Sequence, residues 1–330
     1  MTLYLSKISN RLFEIVFNYK NFSILRNNFE MKSLNESSPS NIQTETNLSA
    51  DTKRKEFILP DKPVTVIEPR LSFFNFYELW QFRDLIYILT LRDIKVRYKQ
   101  TILGVLWVIV QPLLMMLIFT LFFGRLAGIP SDGIPYPLFA YAGLLPWTFF
   151  SNSLNNSSNS LVGNSALITK VYFPRMILPL AAVCAGLFDF LIAFVMLVVL
   201  MFYYGIAFSW SLLMLPVLTV MTALWTIGLG MLMSALNVKF RDIRYALPFF
   251  IQLMLFITPI IYPLNFISEK WRWMLLLNPL TGIIEGFRSS IFGKPFDVPN
   301  LFVSMFVITV VLIYSIFTFR KLERGFADII

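Results

Sequence analysis

The stretch from Leu161 to Pro179, LVGNSALITKVYFPRMILP, decides how the rest of this chain is arranged. It sets Lys170 and Arg175 between two long apolar runs. The piece between those runs is too short to cross a bilayer, and its two cations would cost roughly 2.5–3.5 kcal/mol each at the bilayer centre. We therefore expect this stretch, the elbow, to lie at a membrane surface between two spanning helices.

A proline divides the elbow. Pro174 lacks a main-chain donor and disfavours helical geometry at Phe173, so a helix that runs up to Phe173 is expected to end there. The next helix is expected to begin near Met176. The pattern therefore predicts a helix, a break and a helix.

The composition indicates a membrane protein. Of the 330 residues, 57% are hydrophobic and 14% are charged, and the apolar residues are gathered into runs of about 20. We predict an all-α polytopic membrane protein whose partners include membrane lipids. The net charge of +9 comes from cations beside apolar runs, where the positive-inside rule accounts for them, so no nucleic-acid partner is expected.

The sequence offers few residues that could bind a metal, carry out redox chemistry or bind a nucleotide. The chain has no His, and its single Cys, Cys184, lies in an apolar run, so no metal site, Cys/His nucleophile pair or disulfide framework is expected. The nearest candidate for a phosphate-binding loop, Gly286 to Lys294, has six residues between its glycines, and Pro295 follows the lysine. The P-loop pattern has four residues there and Ser or Thr after the lysine, so we expect no nucleotide site in this chain.

Six apolar runs predict six membrane spans with both termini in the cytosol. Arg and Lys cluster at every predicted cytosolic end, while the short outer loops hold few of them. Gly230 and Ser234 in the fourth run have the spacing that allows close helix approach. The predicted spans are about 103–123, 138–162, 177–203, 212–236, 245–262 and 301–319.

The cytosolic segments complete the predicted organisation. Residues 1–70 are expected to be a largely disordered cytosolic extension: about 1–26 are mixed aromatic and basic and suit a weak surface helix, and the polar part, 27–70, either docks a partner or is dispensable. Tyr77–Gln100 combines helical spacing of apolar residues with a basic flank, which predicts an interfacial helix. Residues 71–324 are expected to form the transmembrane domain, and residues 325–330 a cytosolic C-terminus.

The predicted outer segment Asn265–Pro295 does not fit a simple loop. It contains two apolar-faced pieces, each too short to span, with a break at Asn278-Pro279. We expect a pair of short re-entrant or interfacial helices on the outer face. Glu285 and Arg288 either belong to an outer gate or lie on a solvated helix face. Trp271 and Trp273 either anchor the segment at the membrane interface or stack on a ligand at the gate.

Polar residues inside the predicted spans also need partners. Asp189 is the one carboxylate well inside a span, and an isolated charge there is costly. It would serve a proton-coupled transporter, or it would form a structural ion pair or hydrogen bond within the bundle or near an interface. The polar second half of the second span, which begins at Ser151, is expected to face protein or water rather than lipid.

Aromatic side chains in the second and fifth spans suggest a path for sugars. Apolar faces of sugar rings stack on aromatic rings, and such contacts tolerate sliding. Ordinary packing against lipid or other helices is the alternative for each ring. The candidates are Tyr141, Trp147, Phe149, Phe150, Phe249, Phe250, Phe256 and Tyr262.

Three long motifs carry a resemblance to a known family. Tyr136–Ala181, YPLFAYAGLLPWTFFSNSLNNSSNSLVGNSALITKVYFPRMILPLA, resembles the signature region of type-2 ABC transporter permeases that export polysaccharides, such as O-antigen, capsular and teichoic acid exporters. LRDIKVRYKQTILGVLWVIVQPL before it and NPLTGIIEGFRSSIFG after it also resemble that family. The resemblance covers about residues 76–324, and the extension of roughly 70 residues departs from the compact members.

The resemblance implies a permease subunit with six spans that forms a homodimer in the bacterial inner membrane. Two copies of a separate ABC ATPase would bind ATP and Mg, this chain would hold no cofactor, and the complex would move a lipid-linked polysaccharide outward. The part of the elbow from Leu161 to Arg175 would be the coupling helix that sits in an ATPase cleft, with the contacts made by Lys170, Val171, Tyr172, Phe173, Pro174 and Arg175. Tyr77–Lys99 is similar to the family's interfacial connecting helix, and Asn265–Phe292 to its pair of outer gate helices.

Two other classes remain open on the sequence. A secondary transporter would need a coupling-ion site and usually internal repeats, and Asp189 alone is a small basis for one. A membrane enzyme acting on lipid-linked sugars would need clustered acids, whereas the acids here are scattered. A transporter without catalysis in this chain accounts for more of the residues.

Overall fold

The computed structural model describes residues 76–99, 104–323 and 325–326. Every regular element in this part of the chain is a helix, and it contains no strand. The expected extension 1–70 and residues 327–330 of the expected C-terminal segment lie outside the described residues.

Eleven α-helices, numbered in chain order, form the described part of the chain. A π-helical turn, Thr120–Leu126, extends α3, and short 3-10 turns, Trp210–Met214 and Leu264–Phe266, precede α7 and follow α8. The helices are α1 (Phe76–Gln81), α2 (Arg83–Tyr98), α3 (Leu106–Phe119), α4 (Tyr136–Gly163), α5 (Ser165–Lys170), α6 (Ile177–Tyr203), α7 (Leu215–Lys239), α8 (Ile243–Ile257), α9 (Glu269–Leu276), α10 (Pro279–Phe292) and α11 (Val298–Glu323).

Four of these helices are long and apolar enough to cross a membrane. They are α3 with its π-helical extension, α6, α7 with the turn before it, and α11. They correspond to the predicted first, third, fourth and sixth spans, and α6 has the predicted bounds. The described helices are therefore those of a multi-pass membrane protein.

The other two predicted spans differ from these four. α4 has 28 residues, which is enough for a bilayer, but its second half is polar. α8 has 15 residues, or about 22 Å at 1.5 Å per residue, which is less than a hydrocarbon core of about 30 Å. The predicted fifth span continues to Tyr262, whereas α8 ends at Ile257, because Thr258 is extended ahead of Pro259, as proline favours.

The central helix of the bundle is α4, which packs against both α6 and α7. Its Ser153 and Ser157 side chains lie against glycines. A Cβ atom added at Gly186 of α6 or at Gly230 of α7 would collide with these two side chains. The close approach expected at Gly230 is therefore present, and small residues on three helices make it possible.

Buried apolar side chains form two clusters. The larger one surrounds α4 and includes side chains of α6, α7 and α10. The smaller one, the elbow cluster, contains Leu89 of α2, Ile168 of α5, Phe173, Val238 of α7 and Phe319 of α11. The ends of α4, α7 and α11 and the start of α6 therefore meet beside the elbow at one end of the bundle.

Candidate functional site

The elbow lies between α4 and α6. α5 contributes six helical residues, and the chain is already extended at Val171. The helix therefore ends at Lys170, and the expectation that it reaches Phe173 is wrong. Pro174 restricts only the residue before it, whereas leaving the helix at Val171 lets the chain bring Phe173 into the elbow cluster.

Neighbouring aromatic residues of the elbow have opposite environments. Tyr172 is 93% exposed, and Lys170 and Val171 beside it are exposed as well. Phe173 is 5% exposed and packs in the same cluster as Ile168. The elbow therefore offers one aromatic side chain to a partner and is anchored in the bundle by the next.

Arg175 connects the elbow to the end of α11. Its main-chain N–H donates to Glu323 Oε1 at 3.1 Å, and its Nη1 donates to the main-chain oxygen of Glu323 at 2.6 Å. Its guanidinium carbon lies 5.7 Å from the ring centre of Phe326, which is buried edge-on against Phe319. A displacement of the elbow would therefore act on α11 as well as on α6.

Sequence reasoning missed Glu323 and Phe326. The basic end of the chain served only to assign the topology, and Phe326 lies beyond the predicted last span. A seven-residue interval separates Phe319 from Phe326, and in a continuous helix this spacing would place both rings on one face, which is the signal that could have pointed to Phe326.

Asp189 of α6 has two partners on α2. Arg97 forms an ion pair with its carboxylate, and the Tyr98 hydroxyl donates to the other carboxylate oxygen. The hydroxyl of Thr90 donates to the main-chain oxygen of Ala181 at 3.4 Å, so α2 follows the first half of α6. This is the arrangement that a structural role of Asp189 requires.

A cavity of about 320 Å³ opens beside this ion pair. Ser157, on another side of α4, is buried against neighbouring helices, and the buried Ser153 lies between Gly186 and the cavity. The polar half of α4 therefore faces partly protein and partly this cavity. The amide side chains of α4 that line the cavity are those of Asn152, Asn155 and Asn156.

The four candidate rings of α4 are buried within the described chain. Tyr141, Trp147, Phe149 and Phe150 are each at most 5% exposed. The Tyr141 hydroxyl donates to the main-chain oxygen of Ala193 of α6 at 2.9 Å. Because α4 is central, its rings pack mainly against other helices, and Phe149 also lines the cavity beside Asp189.

The candidate rings of α8 have the opposite environment. Phe249, Phe250 and Phe256 are between 56% and 61% exposed. Most residues of this helix are exposed. Tyr262 lies beyond the helix, and its hydroxyl donates to the main-chain oxygen of Ile257 at 3.0 Å. α8 therefore has an exposed aromatic face that the described chain does not cover.

Two short helices, α9 and α10, occupy the segment expected to lie outside. Asn278 lies between them: its side-chain oxygen accepts from the Leu280 N–H at 3.2 Å, and its amide donates to Thr258 Oγ1 at 2.9 Å. Asn278 thus caps α10 and ties it to the end of α8. Trp271 and Trp273 on α9 are exposed, which suits either of their two expected roles.

Arg288 of α10 is a buried cation, 3% exposed. Its guanidinium donates to the main-chain oxygens of Pro259 at 2.8 Å and Ile260 at 2.7 Å, and to Glu285 Oε1 at 2.9 Å. Its guanidinium carbon lies 3.6 Å from the ring centre of Phe139 of α4. Burial lowers the pKa of the Arg288 guanidinium below its usual value, and the Glu285 carboxylate beside it opposes part of this shift. A solvated face is therefore wrong for Arg288, which fixes the break after α8 to α10 and α4.

Acidic side chains are scattered over the described helices. Among residues 76–99, 104–323 and 325–326, no three Cys, Asp or Glu side chains lie together as they would around a metal ion. Asp189 and Glu285 are each held by an arginine.

The long apolar helices define a multi-pass membrane protein, and comparison with known proteins gives its class. The family model for ABC-2 type transporters matches residues 84–292, well over half of the chain. The chain therefore belongs to the ABC-2 type transporter family. It is a transporter component rather than an enzyme.

Named relatives agree with this class. The chain is similar to an O-antigen export system permease protein RfbA of Klebsiella pneumoniae, 33% identical over 77% of this chain and 98% of the relative. It is also similar to an O-antigen export system permease protein RfbA of Myxococcus xanthus, 32% identical over 74% of this chain and 96% of the relative. A polysialic acid transport protein KpsM of Escherichia coli is 27% identical over 62% of this chain and 79% of its own length.

Proposed function

We propose that this chain is the permease subunit of an ATP-driven exporter that moves a lipid-linked, O-antigen-like polysaccharide across the bacterial inner membrane. The observation that carries the proposal is the similarity to the Klebsiella pneumoniae O-antigen export permease, which extends over 98% of that protein. The family match at residues 84–292 includes the elbow and both short helices.

In this proposal the subunit crosses the membrane six times, with both termini in the cytosol. The convergence of the ends of α4, α7 and α11 with the start of α6 supports it, because these four helix ends would share the cytosolic side. α4 would cross with its polar half against protein and the lined cavity. α8 would cross together with the segment that Arg288 fixes after it. Residues 71–324 would form this transmembrane domain, and residues 1–70 a cytosolic extension.

The subunit would act as a homodimer with two copies of a separate ABC ATPase. The exposed aromatic face of α8 supports a second subunit there, because an apolar face on a spanning helix can line a path or an interface between copies. ATP and Mg would bind to the ATPase, and this chain would contribute no cofactor.

The elbow would transmit the movement of the ATPase. Tyr172 would enter the ATPase cleft, flanked by Lys170 and Val171. Phe173 is packed in the elbow cluster, and Arg175 is hydrogen-bonded to the end of α11. A push on Tyr172 would therefore displace α6 and α11 together. The path between the two subunits would open by this rigid-body movement.

The exit of the path would be formed by α9 and α10. Arg288 would keep their base fixed to α8 and α4, while Trp271 and Trp273 would face the lipid headgroups or the emerging sugar. The rings of Phe249, Phe250 and Phe256 would offer stacking surfaces along the path.

The proposal is tested by depleting the protein in its own cells. The measured quantity is lipid-linked polymer on the cytosolic side against polymer outside the cell. An export step predicts full-length, lipid-linked polymer retained inside, with restoration by the wild-type gene. Absent or truncated polymer would contradict the proposal, because it would place the protein in synthesis. Export that continued after the membrane potential was collapsed, with ATP maintained, would argue against a secondary transporter.

A further inference from the structure

A polar cavity of about 350 Å³ lies at the elbow end of the bundle, separate from the cavity beside Asp189. Three elements enclose it: the start of α5 at Ser165, the end of α7 at Asn237, and the segment that leads into α8. Arg241 belongs to that last segment, and Arg244 and Tyr245 follow it in the first turn of α8. Its volume is in the range of small-molecule binding pockets.

The two arginines of this cavity lack a carboxylate partner. Neither Arg241 nor Arg244 forms an ion pair within the described residues, in contrast to Arg97 and Arg288. Asp242 lies between them in the sequence and makes no ion pair in the described chain either. Lys239, just before them, lies 5.1 Å from the ring centre of Phe240 and does not line the cavity. The cavity therefore carries an excess of positive charge.

These cations suit a phosphate ligand. A guanidinium presents paired donors that match two phosphate oxygens, and it stays charged at physiological pH. Arg244 lies in the first turn of α8, a helix of 15 residues, and so at the end of that helix where the helix dipole is positive. The amide of Asn237, which donates to the main-chain oxygen of Ser158 at 2.9 Å, holds the opposite wall in place.

The cavity also lies between the two parts of the proposed transport machinery. Tyr245 lines it and is 79% exposed, and with Phe249 and Phe256 it forms a row along one face of α8. On the opposite wall, Ser165 begins the helix that ends at Lys170 in the elbow. A ligand in this cavity would touch both the start of the aromatic row and the start of the coupling segment.

We propose that Arg241 and Arg244 form a binding site for the phosphate groups that join the glycan to its lipid carrier, at the cytosolic beginning of the transport path. This inference rests on the proposed function, since that function supplies a phosphate-bearing substrate. The glycan would lie along the aromatic face of α8, and occupancy of the site would be sensed through Ser165. Anionic membrane phospholipids offer the same phosphate chemistry, so the test must separate these two sources.

The experiment uses the complete permease–ATPase complex in phosphatidylcholine nanodiscs, with farnesyl diphosphate as the probe. Binding is measured for wild type, Arg241→Gln, Arg244→Gln, the double variant, and Lys239→Gln as a matched loss of one charge outside the cavity. We expect each single arginine variant to weaken binding about tenfold and the double variant about a hundredfold. Lys239→Gln should stay within about twofold of wild type.

Three results would overturn the assignment. One is unchanged affinity in the double variant, and another is equal binding of farnesol or effective competition by phosphatidylglycerol. The third is loss of ATPase co-purification in the double variant, which would make the cavity a protein-docking surface. Thermal melting of each variant distinguishes misfolding from lost binding. If the double variant melts early, the affinities of the two single variants, Arg241→Gln and Arg244→Gln, decide the result. If depletion of the protein blocks export and the double variant restores it fully, this binding site is rejected and the proposed function stands. If export stays normal after depletion, the proposed function itself is rejected.

Discussion

Replacing either of the two neighbouring aromatic residues of the elbow should have opposite consequences. Phe173 is buried in the elbow cluster, so Phe173→Ala leaves a cavity and should cost about 3–5 kcal/mol of folding free energy. Tyr172 is 93% exposed, so Tyr172→Ala should change the stability by no more than about 0.5 kcal/mol.

Binding of the ATPase should show the reverse order. If Tyr172 enters the ATPase cleft as an interface anchor, its loss should cost at least about 2 kcal/mol, or about a thirtyfold weaker affinity. Trp210→Ala is the matched control, because Trp210 is 88% exposed and lies outside the elbow, before α7. It should change neither property.

The assay measures two quantities on each purified variant. Thermal melting in detergent, followed by size-exclusion fluorescence, reports the fold, and biolayer interferometry against the purified ATPase reports the affinity. Wild-type affinity in Tyr172→Ala would refute the docking assignment. Wild-type melting in Phe173→Ala would refute the account of how the elbow is anchored.

Three further substitutions test the packing of the bundle. Arg288→Ala leaves Glu285 and two main-chain oxygens without their partner and should cost about 3–5 kcal/mol, with Arg288→Lys intermediate because an ammonium lacks the paired donors; equal melting of all three proteins would contradict this. Gly230→Ala should destabilise by about 1–3 kcal/mol through collision with Ser157, and adding Ser157→Gly should recover most of the loss; failure of that recovery would place the strain elsewhere. Asp189→Asn should lower the melting temperature, because it leaves Arg97 without a counter-charge, and adding Arg97→Gln should restore the melting temperature. Transport by the double variant should remain independent of a pH gradient. Abolished transport in the stable double variant would indicate a functional Asp189.

The sequence predicts the long helices well because their cause is local. A run of apolar residues long enough for the bilayer needs no knowledge of its neighbours, and α6 accordingly has the predicted bounds. The elbow was found for the same reason, because two cations interrupt the apolar pattern. Arg and Lys at the ends of the runs then predict which side is cytosolic.

The end of α8 shows where this reasoning stops. The apolar run continues through Thr258 and Pro259, so hydropathy alone extends the span to Tyr262. The backbone leaves the helix at Thr258 because proline restricts it, and Arg288 then holds the freed main-chain oxygens from α10. The partner that makes this break tolerable lies 29 residues away in the sequence.

Burial of individual side chains depends on the packing of several helices. Tyr141 and Phe249 are both aromatic residues in apolar runs, yet α4 is central and buries the first, while α8 is peripheral and exposes the second. Neither Tyr172 nor Phe173 carries a local feature that says which of them is anchored. The exposure of each candidate ring therefore follows from helix packing and not from composition.

The central claim is tested most directly by reconstitution. The purified permease and its ATPase are placed in proteoliposomes that contain a fluorescent lipid-linked glycan, and the glycan on the side opposite the ATPase is measured with a membrane-impermeant glycosidase. The account predicts transfer that requires ATP hydrolysis and is lost in Tyr172→Ala while that variant still inserts. ATP-independent transfer, or full transfer in Tyr172→Ala, would contradict a permease driven through this elbow.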